Sequence, residues 1–226
     1  MRIFITGGSR GIGKAMALHF AQKGYRVAVC SRFGGLDGVL SLNGDVGDYA
    51  QCQHMFETIN KEFGGLDVLI NNAAISHVGY FADTTPDTWH NLINTNLMGA
   101  INCSHLAVRQ MLSQGYGKIV NISSIWGGAG ASCEAVYSAT KGGVDTFTKA
   151  LAKEVGGAGI AVNAIACGVV ETEMNAFLDP DEKTALMAEI PLGRFAQPEE
   201  IAKAVDFLLH SSYINGQIIT LDGGML

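Results

Sequence analysis

Short runs of apolar residues alternate along the chain with longer segments in which apolar positions recur every three or four residues. The short runs predict strands at 2–6, 26–30, 39–42, 67–71, 118–123, 160–166 and 217–221. The longer segments predict helices at 11–23, 48–63, 86–113, 135–156 and 198–209. Strands that are apolar throughout are typical of a parallel sheet with helices on both faces. The alternation therefore predicts an α/β fold, a doubly wound sheet of about seven parallel strands, in a single domain covering 1–226.

One connection departs from this pattern. The predicted second and third strands are separated by FGGLDG (33–38), which is too short and too rich in glycine for a helix. Parallel neighbours ordinarily need a dozen or more linking residues. We therefore expect a bare loop between these two strands.

Composition and charge narrow the classes of protein that fit. The chain has 226 residues, 48% of them hydrophobic, and a formal net charge of -6, which argues against general binding to nucleic acid or anionic membranes. It has no apolar run long enough to span a membrane, and MRIFITGG lacks the apolar core of a secretory signal. We therefore expect a cytoplasmic protein. Cysteines are widely spaced and form no CxxC pair, which predicts reduced, mostly buried thiols and no metal site: Cys30, Cys52, Cys103, Cys133 and Cys167.

A glycine-rich loop, TGGSRGIGKA, follows the first predicted strand and opens the first helix. Small residues in this position let the backbone approach a pyrophosphate at the helix N-terminus. The position of the loop between a strand and a helix predicts dinucleotide binding and makes the expected fold Rossmann-like. The candidate binding residues in the loop are Gly7, Ser9, Arg10, Gly11, Ile12 and Gly13.

The end of the second strand bears on the choice of cofactor. NAD-binding folds place a carboxylate there for the ribose hydroxyls, whereas this chain has Ser31 followed by Arg32. Arg10 in the glycine loop adds a second guanidinium, and guanidinium groups pair well with phosphate. These residues predict NADP(H). The alternative is that both arginines are solvated surface residues.

The stretch VYSATKGGV places Tyr137 and Lys141 four positions apart, which is one face of a helix. A neighbouring cation favours the phenolate, so the pair predicts a tyrosine of lowered pKa that can act as a general acid or base. The alternative is a half-buried tyrosine beside a solvated lysine. Further polar residues follow the predicted fourth and fifth strands, in NNAA and NISSIWGG.

The order of these motifs resembles the short-chain dehydrogenase/reductase family from residue 2 to about 224. TGGSRGIG, NNAA, an asparagine in NTNLMG, a serine thirteen residues before YxxxK, and VETEM carry the resemblance. The resemblance implies a catalytic tetrad of Asn96, Ser124, Tyr137 and Lys141. Ser124 would polarise a carbonyl and Tyr137 would donate a proton as hydride leaves the nicotinamide. Lys141 would lower the pKa of the phenol and hold the nicotinamide ribose, while Asn96 would anchor a water.

The resemblance implies further contacts and shows one departure. Asp45 and Val46 are similar to the adenine contacts of the family, and its other dinucleotide contacts correspond to Asn71, Ala73 and Thr172. Asn72 is expected to brace the sheet, and a structural role is an alternative for each of the others. Cys167 stands where the family usually has proline, and we expect an inert buried thiol rather than a reactive one.

The substrate is expected to be a small ketone or one tethered to a protein. The chain is most similar to reductases of 3-oxoacyl thioesters on an acidic carrier, but Gly115 and Ala158 stand where carrier-dependent members have basic residues. Glu134 near the mouth would suit a substrate with an amine, or would simply be solvated. SIWGGAGASCEAVYSATKG also resembles reductases of the 5-aminopentanone group of elongation factor P, which is one alternative. A catalytically silent nucleotide-binding scaffold is the other.

Three further expectations concern the surroundings of the site. The segment 174–191 has a helical pattern and is expected to close over the pocket as a lid. His77 and Trp126 are candidates for lining the mouth, with ordinary packing as the alternative. The helices at 86–113 and 135–156 are apolar on more than one face, which predicts a homo-oligomer, a dimer or a tetramer.

Overall fold

The computed structural model describes residues 1–176 and 178–226 and confirms the predicted doubly wound α/β fold. Its seven strands form one parallel sheet in the order β3-β2-β1-β4-β5-β6-β7. The strands are β1 (Arg2–Thr6), β2 (Arg26–Ser31), β3 (Leu40–Asn43), β4 (Val68–Asn71), β5 (Gly117–Ser124), β6 (Ile160–Cys167) and β7 (Ile218–Leu221).

Helices cover both faces of the sheet and create two separate apolar cores. They are α1 (Gly11–Gln22), α2 (Tyr49–Phe63), α3 (Pro86–Ile93), α4 (Gly99–Gln114), α5 (Trp126–Ala129), α6 (Ala135–Val155), α7 (Pro180–Ala188) and α8 (Pro198–His210). On one face, α1 and α8 pack side chains such as Phe20 and Val205 against the sheet. On the other face, α2, α4 and α6 contribute Phe56, Met111 and Val155. The central strands β1, β2, β4, β5 and β6 are thus buried on both sides, which explains their continuous apolar sequences, whereas the edge strands β3 and β7 are partly exposed.

The bare loop predicted between β2 and β3 is confirmed. Leu40 pairs with Ala28, and Asn43 pairs with Ser31, so β3 runs beside only the last four residues of β2. The returning chain therefore spans three residue steps, about 10 Å, and needs no helix to cover that distance. The connection between β2 and β3 therefore contributes no helix to cover the sheet at β3.

The continuous helix predicted at 86–113 is wrong. A π-helical turn at Asn94–Met98 separates α3 from α4. The turn carries Asn96 inward, where its side chain is buried against the main chain of Ile75. π-helical turns accommodate one extra residue and occur frequently at functional sites. Hydrophobic periodicity gives no sign of this turn because the apolar pattern continues through it.

The remaining expectations about the whole chain can be compared with the structure. The predicted burial of the cysteines is confirmed, because four are buried and Cys133 is half-buried, all as free thiols. No helix within the described residues is both long enough and apolar enough to cross a membrane. Assembly through the long helices stays a prediction, and α4 leaves Leu112 half exposed.

Candidate active site

A cleft of about 760 Å³ lies at the carboxyl ends of the strands, in the size range of small-molecule sites. It extends from the glycine loop past the ends of β2 and β3 to the ends of β5 and β6. The predicted residues that line it are Gly7, Ser9, Arg10, Gly11, Ile12, Ser31, Arg32, Asp45, Val46, Ala73, Ser124, Tyr137, Lys141 and Thr172. Three predicted residues do not line it, namely Gly13, Asn71 and Asn96.

The glycine loop is a tight backbone turn with no room for side chains at two positions. Gly7 has a φ of +65°, in the left-handed region, and a Cβ there would lie 2.8 Å from the Cα of Ala73. A Cβ on Gly13 would lie 2.1 Å from the carbonyl oxygen of Gly7, so Gly13 supports the loop from beneath. Asn72 donates from Nδ2 to the carbonyl oxygens of Thr6 and Gly7, each at 3.0 Å. The bracing role expected for Asn72 is therefore confirmed.

The end of the cleft beside β2 carries two exposed guanidinium groups. Arg10 lies at the N-cap of α1, and its Nη1 is 3.7 Å from Oε2 of Glu173 across the cleft. Arg32 is exposed just after β2. Ser31 directs its hydroxyl to the carbonyl oxygens of Phe33 and Gly34, each at 2.7 Å. The carboxyl end of β2 therefore presents the cation of Arg32 to the cleft, and Asp37 of the following loop does not line it.

The residues after β3 form the neighbouring wall of the cleft. Asp45 accepts a hydrogen bond from the Gly47 N–H at 2.8 Å, which keeps its carboxylate close to its own turn. Val46 is buried, and Asn102 donates from Nδ2 to its carbonyl oxygen at 3.0 Å. A Cβ on Gly99 would lie 2.5 Å from Cγ2 of Val46. Helix α4 thus fixes the position of this wall, a role that the sequence did not indicate.

The side chain of Asn71 does not reach the cleft, so the expected contact with a dinucleotide stays a prediction for its main chain. Its Nδ2 donates to Oδ1 of Asn121 at 2.8 Å and to Oγ of Ser104 at 3.0 Å. Asn121 in turn donates to Thr148 of α6 at 2.8 Å. Successive residues of a strand point to opposite faces, so Asn71 points into the core beneath α4 and α6. Only its main chain remains available to a ligand.

Ser124 and Tyr137 both line the cleft, as the family resemblance implies. Ser124 ends β5, and its Oγ accepts a hydrogen bond from the Trp126 N–H at 3.2 Å. Tyr137 lies in the first turn of α6. Burial raises the pKa of its phenol well above the ordinary value, the nearby hydroxyl of Ser124 partly opposes this, and Glu134 adds to the rise. The expected direction of the Tyr137 pKa shift is therefore wrong.

Lys141 is buried one helical turn after Tyr137. Its Nζ donates to the carbonyl oxygen of Ile122 at 2.9 Å and lies 5.6 Å from the centroid of the Tyr137 ring. Burial lowers its pKa from 10.5 to about 8, while Cys167 and Asp145 act in the opposite direction. The solvated lysine of the alternative interpretation is thus excluded, since only 4% of Lys141 is exposed.

Asn96 lies behind the cleft and is held at both ends of its amide. Oδ1 accepts from the Ile75 N–H at 2.8 Å, and Nδ2 donates to the Ile75 carbonyl at 2.9 Å and to Oγ1 of Thr140 at 3.3 Å. Both amide hydrogens are therefore used, and a water at Asn96 must donate to Oδ1 or bind the main chain of the turn. Thr140 also donates to the carbonyl oxygen of Tyr137 at 2.7 Å. Thr140 therefore links Asn96 to Tyr137. In the sequence, only its position next to Lys141 indicated this role.

The remaining residues expected near the mouth of the cleft differ in burial and position. Cys167 is buried, and burial raises the pKa of its thiol to about 12, which confirms the expected inert thiol. Trp126 lines the cleft, whereas His77 is exposed and does not. Glu134 lines the cleft and is half-buried, and desolvation raises the pKa of its carboxyl.

The predicted lid segment is only partly helical. A 3-10 turn spans Glu173–Asn175 and α7 spans Pro180–Ala188, while Phe177 lies outside the described residues. Within the segment, Met174, Asn175, Leu178 and Leu186 line the cleft. The predicted position over the pocket is confirmed, and closure on a ligand stays a prediction.

Comparison with known proteins gives consistent matches over nearly the whole chain. A family model described as Enoyl-(Acyl carrier protein) reductase matches residues 7–226. Carbonyl reductase family member 4 of Danio rerio is 42% identical over 231 residues, covering 98% of this chain and 96% of that protein. The 3-oxoacyl-[acyl-carrier-protein] reductase of Homo sapiens is 41% identical with the same coverage. The solved structure of ElxO with NADP bound has a TM-score of 0.92 and 33% identity, covering 99% of this chain and 98% of that chain.

Proposed function

Because the chain belongs to the short-chain dehydrogenase/reductase family of NAD(P)-dependent oxidoreductases acting on CH–OH or C=O groups, we propose that it reduces a ketone to a secondary alcohol with NADPH. The observation that carries the proposal is a single cleft in which Ser124, Tyr137 and Lys141 lie beside the glycine loop. One end of the cleft offers a phosphate-binding backbone, and the other offers a proton donor. A catalytically silent scaffold would not need the proton donor.

The residues present fit a dinucleotide. The backbone at Gly7 and Gly11 has positive φ and no side chains, and a Cβ at Gly7 would fill the space beside Ala73. Gly11 begins α1, so the loop holds the pyrophosphate against the positive end of the helix dipole. When bound, the nicotinamide supplies the hydride for the reaction. The chain supplies orientation, a proton and exclusion of water.

The preference for NADPH over NADH is supported by charge at the end of β2. Arg10 and Arg32 line the cleft there, and Ser31 uses its hydroxyl within its own loop. A carboxylate at this position would repel a 2'-phosphate, whereas guanidinium groups form charge-assisted hydrogen bonds with it. Glu173 lies 3.7 Å from Arg10, and the side chains of both are largely exposed, so the pair is easily replaced by a phosphate.

Tyr137 and Ser124 together perform the proton step. The raised pKa of Tyr137 means that the phenol carries its proton at neutral pH, which is the state required of a donor. The hydroxyl of Ser124 holds the same carbonyl oxygen and fixes its direction. With a pKa of about 8, Lys141 is mostly charged at pH 7, and its cation stabilises the phenolate that remains. Asn96 and Thr140 hold the first turn of α6 in place.

The direct test is NADPH oxidation followed by absorbance, with an acetoacetyl thioester as substrate. The wild-type protein should turn over, and Tyr137→Phe should fold, bind NADPH normally and lose turnover by about 100-fold or more. Tyr213→Phe is the matched control, because Tyr213 is fully exposed and lies outside the cleft. Normal turnover by Tyr137→Phe would remove the proposed proton donor.

A β-ketoacyl thioester is the first substrate class, by similarity to the human 3-oxoacyl-[acyl-carrier-protein] reductase. The two positions without basic residues, Gly115 and Ala158, precede the amino-terminal ends of β5 and β6. They therefore lie at the sheet edge opposite the cleft of the same chain. Their neutrality does not change the charge around the catalytic residues, so both free and protein-tethered thioesters remain in the proposal.

A second substrate class is favoured by Glu134. This carboxyl lies in the N-cap position of α6 but makes no capping hydrogen bond, and no ion pair to it occurs among the described residues. A half-buried carboxylate in the mouth would attract a protonated amine, as in the 5-aminopentanone group on elongation factor P. Glu134→Gln should lower kcat/KM for an aminoketone roughly tenfold relative to kcat/KM for the acetoacetyl thioester, because any effect of the charge on Tyr137 is common to both substrates. Equal effects on both substrates would count against it.

A further inference from the structure

A phenylalanine in the cleft is left in solvent. Phe33 follows Arg32 after β2, lines the cleft together with Val46 and has 82% of its surface exposed. Burial of a phenyl ring is strongly favourable, so exposure inside a concave site is informative in a way that exposure on a convex surface is not. The ring is available to an apolar group that enters the cleft.

The backbone that carries this ring is held by side-chain hydrogen bonds. The Ser31 hydroxyl bonds with the carbonyl oxygens of Phe33 and Gly34, each at 2.7 Å. Ser41 of β3 accepts from the Leu36 N–H at 2.9 Å and donates to the Leu36 carbonyl at 3.1 Å. The loop between β2 and β3 is thus attached at both ends, and the position of the ring follows from that attachment.

The surroundings of Phe33 are those of the adenosine end of the site. The Gly8 N–H donates to the carbonyl oxygen of Cys30 at 3.1 Å, which places the glycine loop beside the end of β2. The Gly44 N–H donates to the carbonyl oxygen of Ser31 at 3.1 Å, which places the wall after β3 on the other side. In folds of this kind the adenosine ribose binds at the end of β2. No helix follows β2 here to cover the nucleotide.

We propose that Phe33 binds the adenine ring of the cofactor and supplies the apolar surface that a helix after β2 would otherwise provide. The inference rests on the proposed use of a dinucleotide and concerns this chain's own loop. Adenine presents a flat aromatic face to which a phenyl ring binds well whatever the charge on the ribose. The Arg32 guanidinium lies over the Phe33 ring, 5.9 Å from its centroid, and because both side chains are exposed, one face of the ring can bind adenine while the guanidinium pairs with the 2'-phosphate.

The test compares dissociation constants for NADPH and NADH, measured by titration without substrate. Phe33→Ala should weaken the binding of both dinucleotides by the same factor, about tenfold, because both contain adenine. Phe33→Tyr should restore binding, since it keeps the aromatic face. Arg32→Ala should weaken NADPH alone. Phe207→Ala is the matched control, because Phe207 is 59% exposed on α8 and lies outside the cleft.

Two results would overturn the inference while leaving the proposed function intact. If Phe33→Ala binds both dinucleotides as the wild type does, the ring does not contact adenine. If it weakens NADPH alone, Phe33 acts only by positioning Arg32. A wild-type protein that binds neither dinucleotide would instead overturn the proposed function. The melting temperature of Phe33→Ala should match that of the wild type, because the ring makes little contact with the protein.

Discussion

Replacement of Lys141 by methionine should stabilise the unliganded protein at neutral pH while abolishing its activity. Burial lowers the pKa of Lys141 from 10.5 to about 8. At about 1.36 kcal/mol for each pKa unit, the fold gives up roughly 3 kcal/mol to keep this amine charged. Lys141→Met also loses the hydrogen bond to the Ile122 carbonyl, which costs about 1 kcal/mol. The net gain at pH 7 is therefore roughly 2 kcal/mol.

The dependence on pH identifies the cause. Between about pH 8 and 10.5 the unfolded chain binds the lysine proton and the folded chain does not, so the wild type becomes more stable as pH rises through this window. The advantage of Lys141→Met should therefore shrink by roughly 2 kcal/mol from pH 7 to pH 10.

Urea denaturation at both pH values measures this difference, and comparison with the wild type removes the contributions of other groups. Lys153→Met on the exposed face of the same helix is the control and should change little at either pH. A Lys141→Met protein that is less stable than the wild type at pH 7, or whose advantage is the same at pH 10, would refute the reasoning.

The remaining predictions concern the loop, the support of α6 and the proton step. Gly13→Ala should abolish NADPH binding and lower the melting temperature, because its Cβ would lie 2.1 Å from the Gly7 carbonyl oxygen. Gly128→Ala, with open space at its Cβ, should leave both measurements unchanged. Asn96→Ala should lower the free energy of unfolding in urea by about 2–4 kcal/mol, because it leaves the N–H and C=O of Ile75 without partners; a smaller loss would mean that water replaces the amide. Finally, kcat/KM for ketone reduction should fall as pH rises through about 8, where Lys141 loses its charge, and a profile that stays flat to pH 10 would contradict this.

The positions of the catalytic side chains could be predicted because parallel strands end at one edge of the sheet. Ser124 ends β5, and Tyr137 lies in the first turn of α6, the next long helix along the chain, so the order of elements brings them to the cleft. The short connection between β2 and β3 could also be predicted, since no helix fits between Arg32 and Val39. In both cases the information is local and covers a few neighbouring residues.

Features that depend on contacts between distant segments could not be predicted. The π-helical turn at Asn94–Met98 is stabilised by Ile75 and Thr140, which are remote from it in sequence. Whether Asn71 or Asn72 braces the glycine loop depends on which face of the sheet each side chain points to. That choice changes with a register shift of one residue, so the motif NNAA alone does not contain it.

For Tyr137, the sequence identified the correct neighbour, Lys141, but gave the wrong direction for the pKa shift. The sequence indicates that a lysine lies near the phenol, and a charge at that distance would lower its pKa. The sequence does not show that burial also affects the lysine, whose pKa of about 8 lies below that of the buried phenol. On titration of the unliganded protein Lys141 is neutral before Tyr137 ionises, so it cannot assist that ionisation. Below about pH 8 the order is different, because the proton leaves Tyr137 for a substrate oxygen while Lys141 is still charged. The same burial that keeps the phenol protonated therefore sets the upper pH limit at which its anion is stabilised.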